Sequence, residues 1–167
     1  MTRALLVIDI QNDYFAGGAL PLWQPEETEA RIVSAIGRAR ASDDRIILVR
    51  HISLAPAGLF VAGSTGADIR QAILNTAGNA PVVTKHYADA FQETDLASHL
   101  AGVSELLVTG MMTQNCVVFT ALSRAADGLR VRIVGDLCTA PTETVHRIAL
   151  NALGSKIEVA TAVDVWA

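Results

Sequence analysis

Aromatic residues make up only 5% of the chain, and only two cysteines, Cys116 and Cys138, occur among its 167 residues. So thin an aromatic complement offers no stacking platform for bases or sugars. Two cysteines without a second Cys/His pair at zinc-like spacing exclude a disulfide framework and a structural zinc site. No apolar run approaches the length that spans a bilayer, so no membrane partner is expected. The 13 basic residues are scattered and outnumbered by 17 acidic ones, and a net charge of -4 leaves no electrostatic footprint for nucleic acid. The opening MTRALLVIDI enters a strand-like run directly, without a signal-peptide pattern. The expectation is a cytoplasmic protein whose partners are small molecules.

What the chain does have is apolar surface: 51% of it is hydrophobic, enough to fill a sizeable core in one domain spanning 1–167. Short β-branched runs recur as ALLVID (4–9), RIILVR (45–50), PVVTK (81–85), ELLVTG (105–110), RVRIVGD (130–136) and KIEVAT (156–161). They are apolar on both faces, which is the pattern of buried strands. Between them, helical spacing covers roughly 25–41, 67–76, 94–101, 114–127 and 142–153, with cap-like residues at Ser64, Thr94, Thr113 and Thr142. Regular alternation of strand and helix predicts an α/β chain, a three-layer α/β/α sandwich around a mostly parallel sheet. The irregular stretch 51–68 has the length and Gly/Pro/Ser content of a binding loop or lid.

In such sheets ligands bind beyond the carboxyl ends of the strands. Asp9 closes the first run, Lys85 the third, and Cys116 follows the fourth. A carboxylate at the end of a buried strand needs a cation or several donors, although Asp9 also suits a loop cap, as do Asn12 and Asp13. A lysine at a strand end can snorkel to the surface; beside a thiol, its ammonium stabilises a thiolate and depresses the thiol pKa. A lone Cys116 is a small hydrophobe, but a turn after Gly110 leading into a helix would aim backbone N–H groups at one point, as acyl transfer requires. Cys138, in GDLCTAPT, reads as a loop residue that either packs or supports the site from behind. His51, His86, His99 and His146 are dispersed: His146 reads as a capping or packing residue, and His86 faces away from Lys85 if that segment is extended. The GSTG at 63–66 matches no nucleotide fingerprint.

Taken together, LLVIDIQNDYF with Asp9 and Gln11, TKHYADAFQETDL with Lys85 and Phe91, VTGMMTQNCVVFTA with Cys116, and VRIVGDLCTA resemble the motifs of the isochorismatase-like cysteine hydrolases. That superfamily includes nicotinamidases, N-carbamoylsarcosine amidohydrolases and streptothricin hydrolase, and nearly the whole chain takes part in the resemblance. It implies a six-stranded parallel sheet, a catalytic triad of Asp9, Lys85 and Cys116, a cis peptide at Met111–Met112, and an oxyanion hole from the amides of Met112 and Cys116. It also implies a homo-oligomer, dimer or tetramer. The activity implied is hydrolysis of a C–N bond, amide, lactam or carbamoyl, through a thioester.

Loops 14–24, 51–66 and 86–92 would carry the pocket walls, and Gln11, Phe15, Phe60, Tyr87 and Phe91 are the candidate substrate-binding residues, with Trp23 beside them. Nicotinamidases usually carry an Asp-x-His metal motif at the end of the second strand; here the segment is Val49, Arg50, His51. With that carboxylate missing, neither a metal nor any other cofactor is expected, and nicotinamide is not the first substrate. Isochorismatases proper commonly dispense with the cysteine. Two alternatives remain: a non-covalent hydrolase of the same fold, and a catalytically silent ligand-binding or redox-sensing member.

Overall fold

Strands that are apolar on both faces belong in a sheet covered on both sides. In the computed structural model, which describes residues 2–167, six strands form one sheet: β1 (Arg3–Ile8), β2 (Arg45–His51), β3 (Val82–Lys85), β4 (Glu105–Met111), β5 (Arg130–Thr139) and β6 (Glu158–Ala160). Their order is β3-β2-β1-β4-β5-β6, and each neighbouring pair is parallel. Alternation along β1 shows how both faces are filled. Leu5 and Val7 join a core cluster with Ile36, Leu107 and Val134, whereas Ala4, Leu6 and Ile8 join another with Ile47, Val108 and Ile133.

Helices complete the two outer layers. On one face lie α1 (Pro25–Ala41), α2 (Gln71–Ala77) and α6 (Ala162–Val165), contributing Ile32, Ile36, Ile73 and Val165 to the first cluster. On the other lie α3 (Leu96–His99), α4 (Val118–Ala121) and α5 (Glu143–Gly154), contributing Leu96, Ala121 and Leu153 to the second. Among the described residues no helix is long and apolar enough to cross a membrane.

Several local readings change. The expected helix over 114–127 is broken into a π-helical turn at Thr113–Val117, one turn of α4 and a 3-10 turn at Arg124–Ala126. Thr113, Val117, Val118 and Thr120 are β-branched, which disfavours a long regular helix. Ser64 and Thr142 accept the capping N–H of Ala67 and Val145. Thr113 does not cap; it lies inside the turn, its hydroxyl 2.8 Å from His146 Nδ1. Thr94 accepts from the Leu96 N–H, but α3 is a single turn rather than a helix over 94–101. β5 continues past 136 to Thr139 after a register shift opposite Val108–Gly110, so Cys138 sits in a strand and pairs with Gly110 instead of lying in a loop.

Gly110 has φ +121°, and a Cβ there would stand 2.1 Å from the Ile8 carbonyl oxygen. Only glycine lets β4 pass that close to the end of β1 just before the turn that carries Cys116. The loops after β1 and β2 are tied together by Asp13, whose Oδ1 accepts the Ala19 N–H at 3.1 Å and whose Oδ2 accepts the Phe60 N–H at 2.7 Å.

Candidate active site

β1 lies between β2 and β4, so the chain winds outward in opposite directions on its two sides. Crevices form at such reversals, beyond the carboxyl ends of the strands. Asp9 follows directly on β1 with φ +55°, its N–H held by the Val49 carbonyl at 3.0 Å. Cys116 arrives from the β4 side in the π-helical turn. Lys85 is the last residue of β3, two strands away from β1, and its stem crosses the end of β2 to bring the ammonium to Asp9. Asp9 and Lys85 are 0% exposed and Cys116 is 3% exposed.

The Lys85 ammonium is the hub. Nζ lies 2.9 Å from Asp9 Oδ2, 2.8 Å from His51 Nδ1, 3.0 Å from the Tyr87 carbonyl oxygen and 3.2 Å from Cys116 Sγ. Burial alone would lower the Lys85 pKa, but the Asp9 carboxylate and the Cys116 sulfur outweigh it and hold the ammonium charged, with the pKa above its ordinary value. Asp9 Oδ1 is buried with no hydrogen-bond partner among the described residues, an acceptor free within the cluster.

The thiol departs from expectation. Burial pushes the Cys116 pKa up to about 12, and the Asp9 carboxylate adds to this; Lys85 opposes both and does not prevail. These influences favour the neutral form of the Cys116 thiol beside a charged Lys85 ammonium. Replacing an aqueous shell with one cation does not compensate a sulfur anion that also faces a carboxylate. Cys138 is raised to about 12 by burial, with the Gly110 backbone opposing, and its Sγ is 3.4 Å from the Val134 carbonyl oxygen, so it is a packing residue of β5.

The Met111–Met112 peptide is cis. Gln11 is fully buried, and its amide is committed to backbone: Nε2 donates to the carbonyls of His51 at 2.8 Å and Ala67 at 2.7 Å, and Oε1 accepts the His51 N–H at 2.8 Å. Phe15 is buried under the Arg70 guanidinium, 4.0 Å from its ring centre. Phe60 is buried with its ring centre 4.8 Å from that of Tyr14 and 5.7 Å from that of His51. Tyr87 reaches the cluster through its carbonyl, and Phe91 packs on the second core cluster. Trp23 lies against His146, ring centres 5.7 Å apart with the planes tilted by 39°. His86 is exposed, its Nδ1 2.8 Å from the Ile52 carbonyl oxygen.

The sequence pattern assigns no site role to two further residues, His51 and Tyr14. His51 closes β2 beside Lys85 in register, and its position at a strand end next to the first strand was the available signal. Tyr14 is 1% exposed, and burial followed by the charges of Asp9, Cys116 and Asp13 holds its phenol well above the usual range. Nothing in the local pattern of residues 12–15 distinguishes it.

As for a metal, Asp9, His51 and Cys116 bring one donor atom each within 4.8 Å of one another. The Lys85 ammonium already fills the space those atoms bound, and Val49 is a buried core residue, so the set does not fit a cation beside it.

Residues 3–164 match the family model described as the isochorismatase domain. The chain belongs to the isochorismatase family. The uncharacterized isochorismatase family protein YddQ of Bacillus subtilis is 34% identical, over 92% of this chain and 92% of its own. The maleamate amidohydrolase of Pseudomonas putida is 29% identical over 92% of this chain and 79% of its own. Among solved structures, an isochorismatase hydrolase from Oleispira antarctica superposes with a TM-score of 0.88 at 28% identity, covering 98% of this chain and 95% of the other. The family is one of hydrolases, and relatives include proteins named for amide substrates.

Proposed function

We propose that this family member is a cysteine-dependent hydrolase of a C–N bond in a small molecule, an amide, lactam or carbamoyl compound, working through a thioester. The buried contact of Lys85 Nζ with both Asp9 and Cys116 carries this reading. With the thiol neutral at rest, Asp9 takes its proton as the sulfur attacks the carbonyl carbon, so the thiolate has no free existence before attack. The carbonyl oxygen becomes an oxyanion, held by the amide of Met112, just before the π-helical turn, and that of Cys116 within it. Collapse breaks the C–N bond, and the proton on Asp9 leaves with the amine. Asp9 then takes a proton from water as that water attacks the thioester; the acid departs and the thiol is restored.

Phe15, Phe60, Tyr87 and Phe91 shape the approach, and Gln11 braces it by holding residues 51 and 67. Small substrates suit a cluster so deeply buried. The protein is further proposed to self-associate, the dimer or tetramer covering the exposed side chains of Phe119 and Ile148 and a groove of about 320 Å³ lined by Val118, Leu122 and Leu153. An ammonia-release screen over maleamate, nicotinamide and N-carbamoyl amino acids, with release of the tethered amine measured for ring-opened cyclic amides and every substrate run beside Cys116→Ala, tests the reading. Release that survives in the variant would favour the non-covalent alternative, and no release from any of them would favour the silent one.

A further inference from the structure

His51 and Lys85 are direct partners in the β2–β3 register, so their side chains leave the sheet side by side on one face. The lysine stem must pass the imidazole to reach Asp9, and the 2.8 Å contact between Nζ and Nδ1 is the shortest of the four made by the ammonium. An ammonium has donors only, so Nδ1 is an unprotonated acceptor and the ring proton is on Nε2. The backbone of His51 is in turn clamped on both its N–H and its C=O by Gln11.

We infer that His51 is a positioning residue, whose neutral imidazole fixes the Lys85 ammonium between Asp9 and Cys116 and disarms the site when protonated. Four acceptors surround three N–H bonds, and the imidazole is the one whose acceptor capacity a proton abolishes. Protonation would also set two cations 2.8 Å apart. The groups facing the ring are Lys85 at the end of β3 and His86 just after it, Asp9 just after β1, Cys116 from the π-helical turn, and the apolar Phe60 ring. Burial, then Lys85, keep the imidazole below its ordinary pKa against the pull of Asp9, so the neutral form prevails at pH 7. This assignment refines the role of Lys85 in the proposed hydrolase.

Two measurements on the whole protein decide it. Histidine 15N NMR across pH 4–8 should show His51 as the Nε2–H tautomer, with a titration below 6.5 that moves upward in Lys85→Met, where the ammonium is gone. An Nδ1–H tautomer, or a titration unmoved by Lys85→Met, overturns the assignment without reference to any substrate. Turnover is the second. His51→Leu removes the acceptor and should lose roughly ten- to hundredfold in kcat. His51→Asn, whose Oδ1 occupies the place of Nδ1, should restore most of that loss and no longer show the histidine step on the acid side of the pH profile. Equal losses in both variants, or an unchanged acid limb in His51→Asn, reduce His51 to packing; if His51→Leu does not fold, the pH profile of His51→Asn decides alone. Should the NMR result hold while no amide is hydrolysed, the His51 assignment stands and the amidase reading falls.

Discussion

Lys85 Nζ and Asp9 Oδ2 form an ion pair at 2.9 Å in which neither side chain has any exposed surface. The partners come from strands separated by β2, so the pair spans the carboxyl ends of three strands. Removing one partner leaves the other charge buried alone, at a cost of about 3–5 kcal/mol. Asp9→Asn and Lys85→Met should each lower stability by about that amount, and the double variant should regain much of it without regaining turnover. Urea unfolding of the four proteins checks this; additive losses would remove the pair from the stability argument.

Cys116→Ala deletes one buried sulfur and should leave the melting temperature within a few degrees of wild type while turnover falls by about 10³-fold or more. The comparison is a circular-dichroism melt beside the ammonia-release assay. Cys138→Ala should keep most of the activity.

The thiol should react slowly at neutral pH. Because burial and Asp9 raise Cys116 to about 12, alkylation by iodoacetamide should keep accelerating through pH 10, well beyond the ordinary thiol value of 9. Lys85→Ala removes the one influence that lowers this pKa and should slow alkylation further at every pH. A rate that levels off near pH 7 in the native protein would contradict the assignment of a neutral resting thiol.

Alkaline pH should also erode stability. Cys116 and Cys138 both have folded pKa values raised to about 12, so the unfolded chain releases its thiol protons first as pH rises above 9. Stability from these groups is full below pH 9 and is progressively lost as pH rises from 9 towards the folded values. Lys85, raised above its ordinary value, acts in the same direction. Denaturant midpoints measured from pH 8 to pH 11 should fall, and fall less steeply in Cys138→Ala.

Asp13→Asn should loosen both loops it ties. The substitution sets an amide N–H₂ against one of the two backbone N–H donors of Ala19 and Phe60, costing about 1–3 kcal/mol. With Phe60 displaced, KM should rise more than kcat falls. Gly66→Ala tests the same junction, since a Cβ there would stand 2.2 Å from Asp13 Oδ1.

The chain by itself determined the architecture and the addresses of three reactive side chains. Runs such as ALLVID are apolar on both faces, and that pattern belongs to strands buried in a parallel sheet wherever they occur. Asp9 and Lys85 stand at the ends of such runs and Cys116 just beyond one, and the carboxyl edge of a parallel sheet brings those positions together. Only the tertiary structure decided what these groups do to one another. His51 meets Lys85 because β2 and β3 pair in one register, which no local periodicity encodes. Tyr14 is buried against Phe60, a residue of a distant loop whose N–H is held by Asp13. The thiol sits above its ordinary pKa, the reverse of what an adjacent lysine suggests, because desolvation is summed over every residue packed around it. Periodicity is a property of neighbours along the chain, whereas register, burial and electrostatic balance belong to neighbours in space.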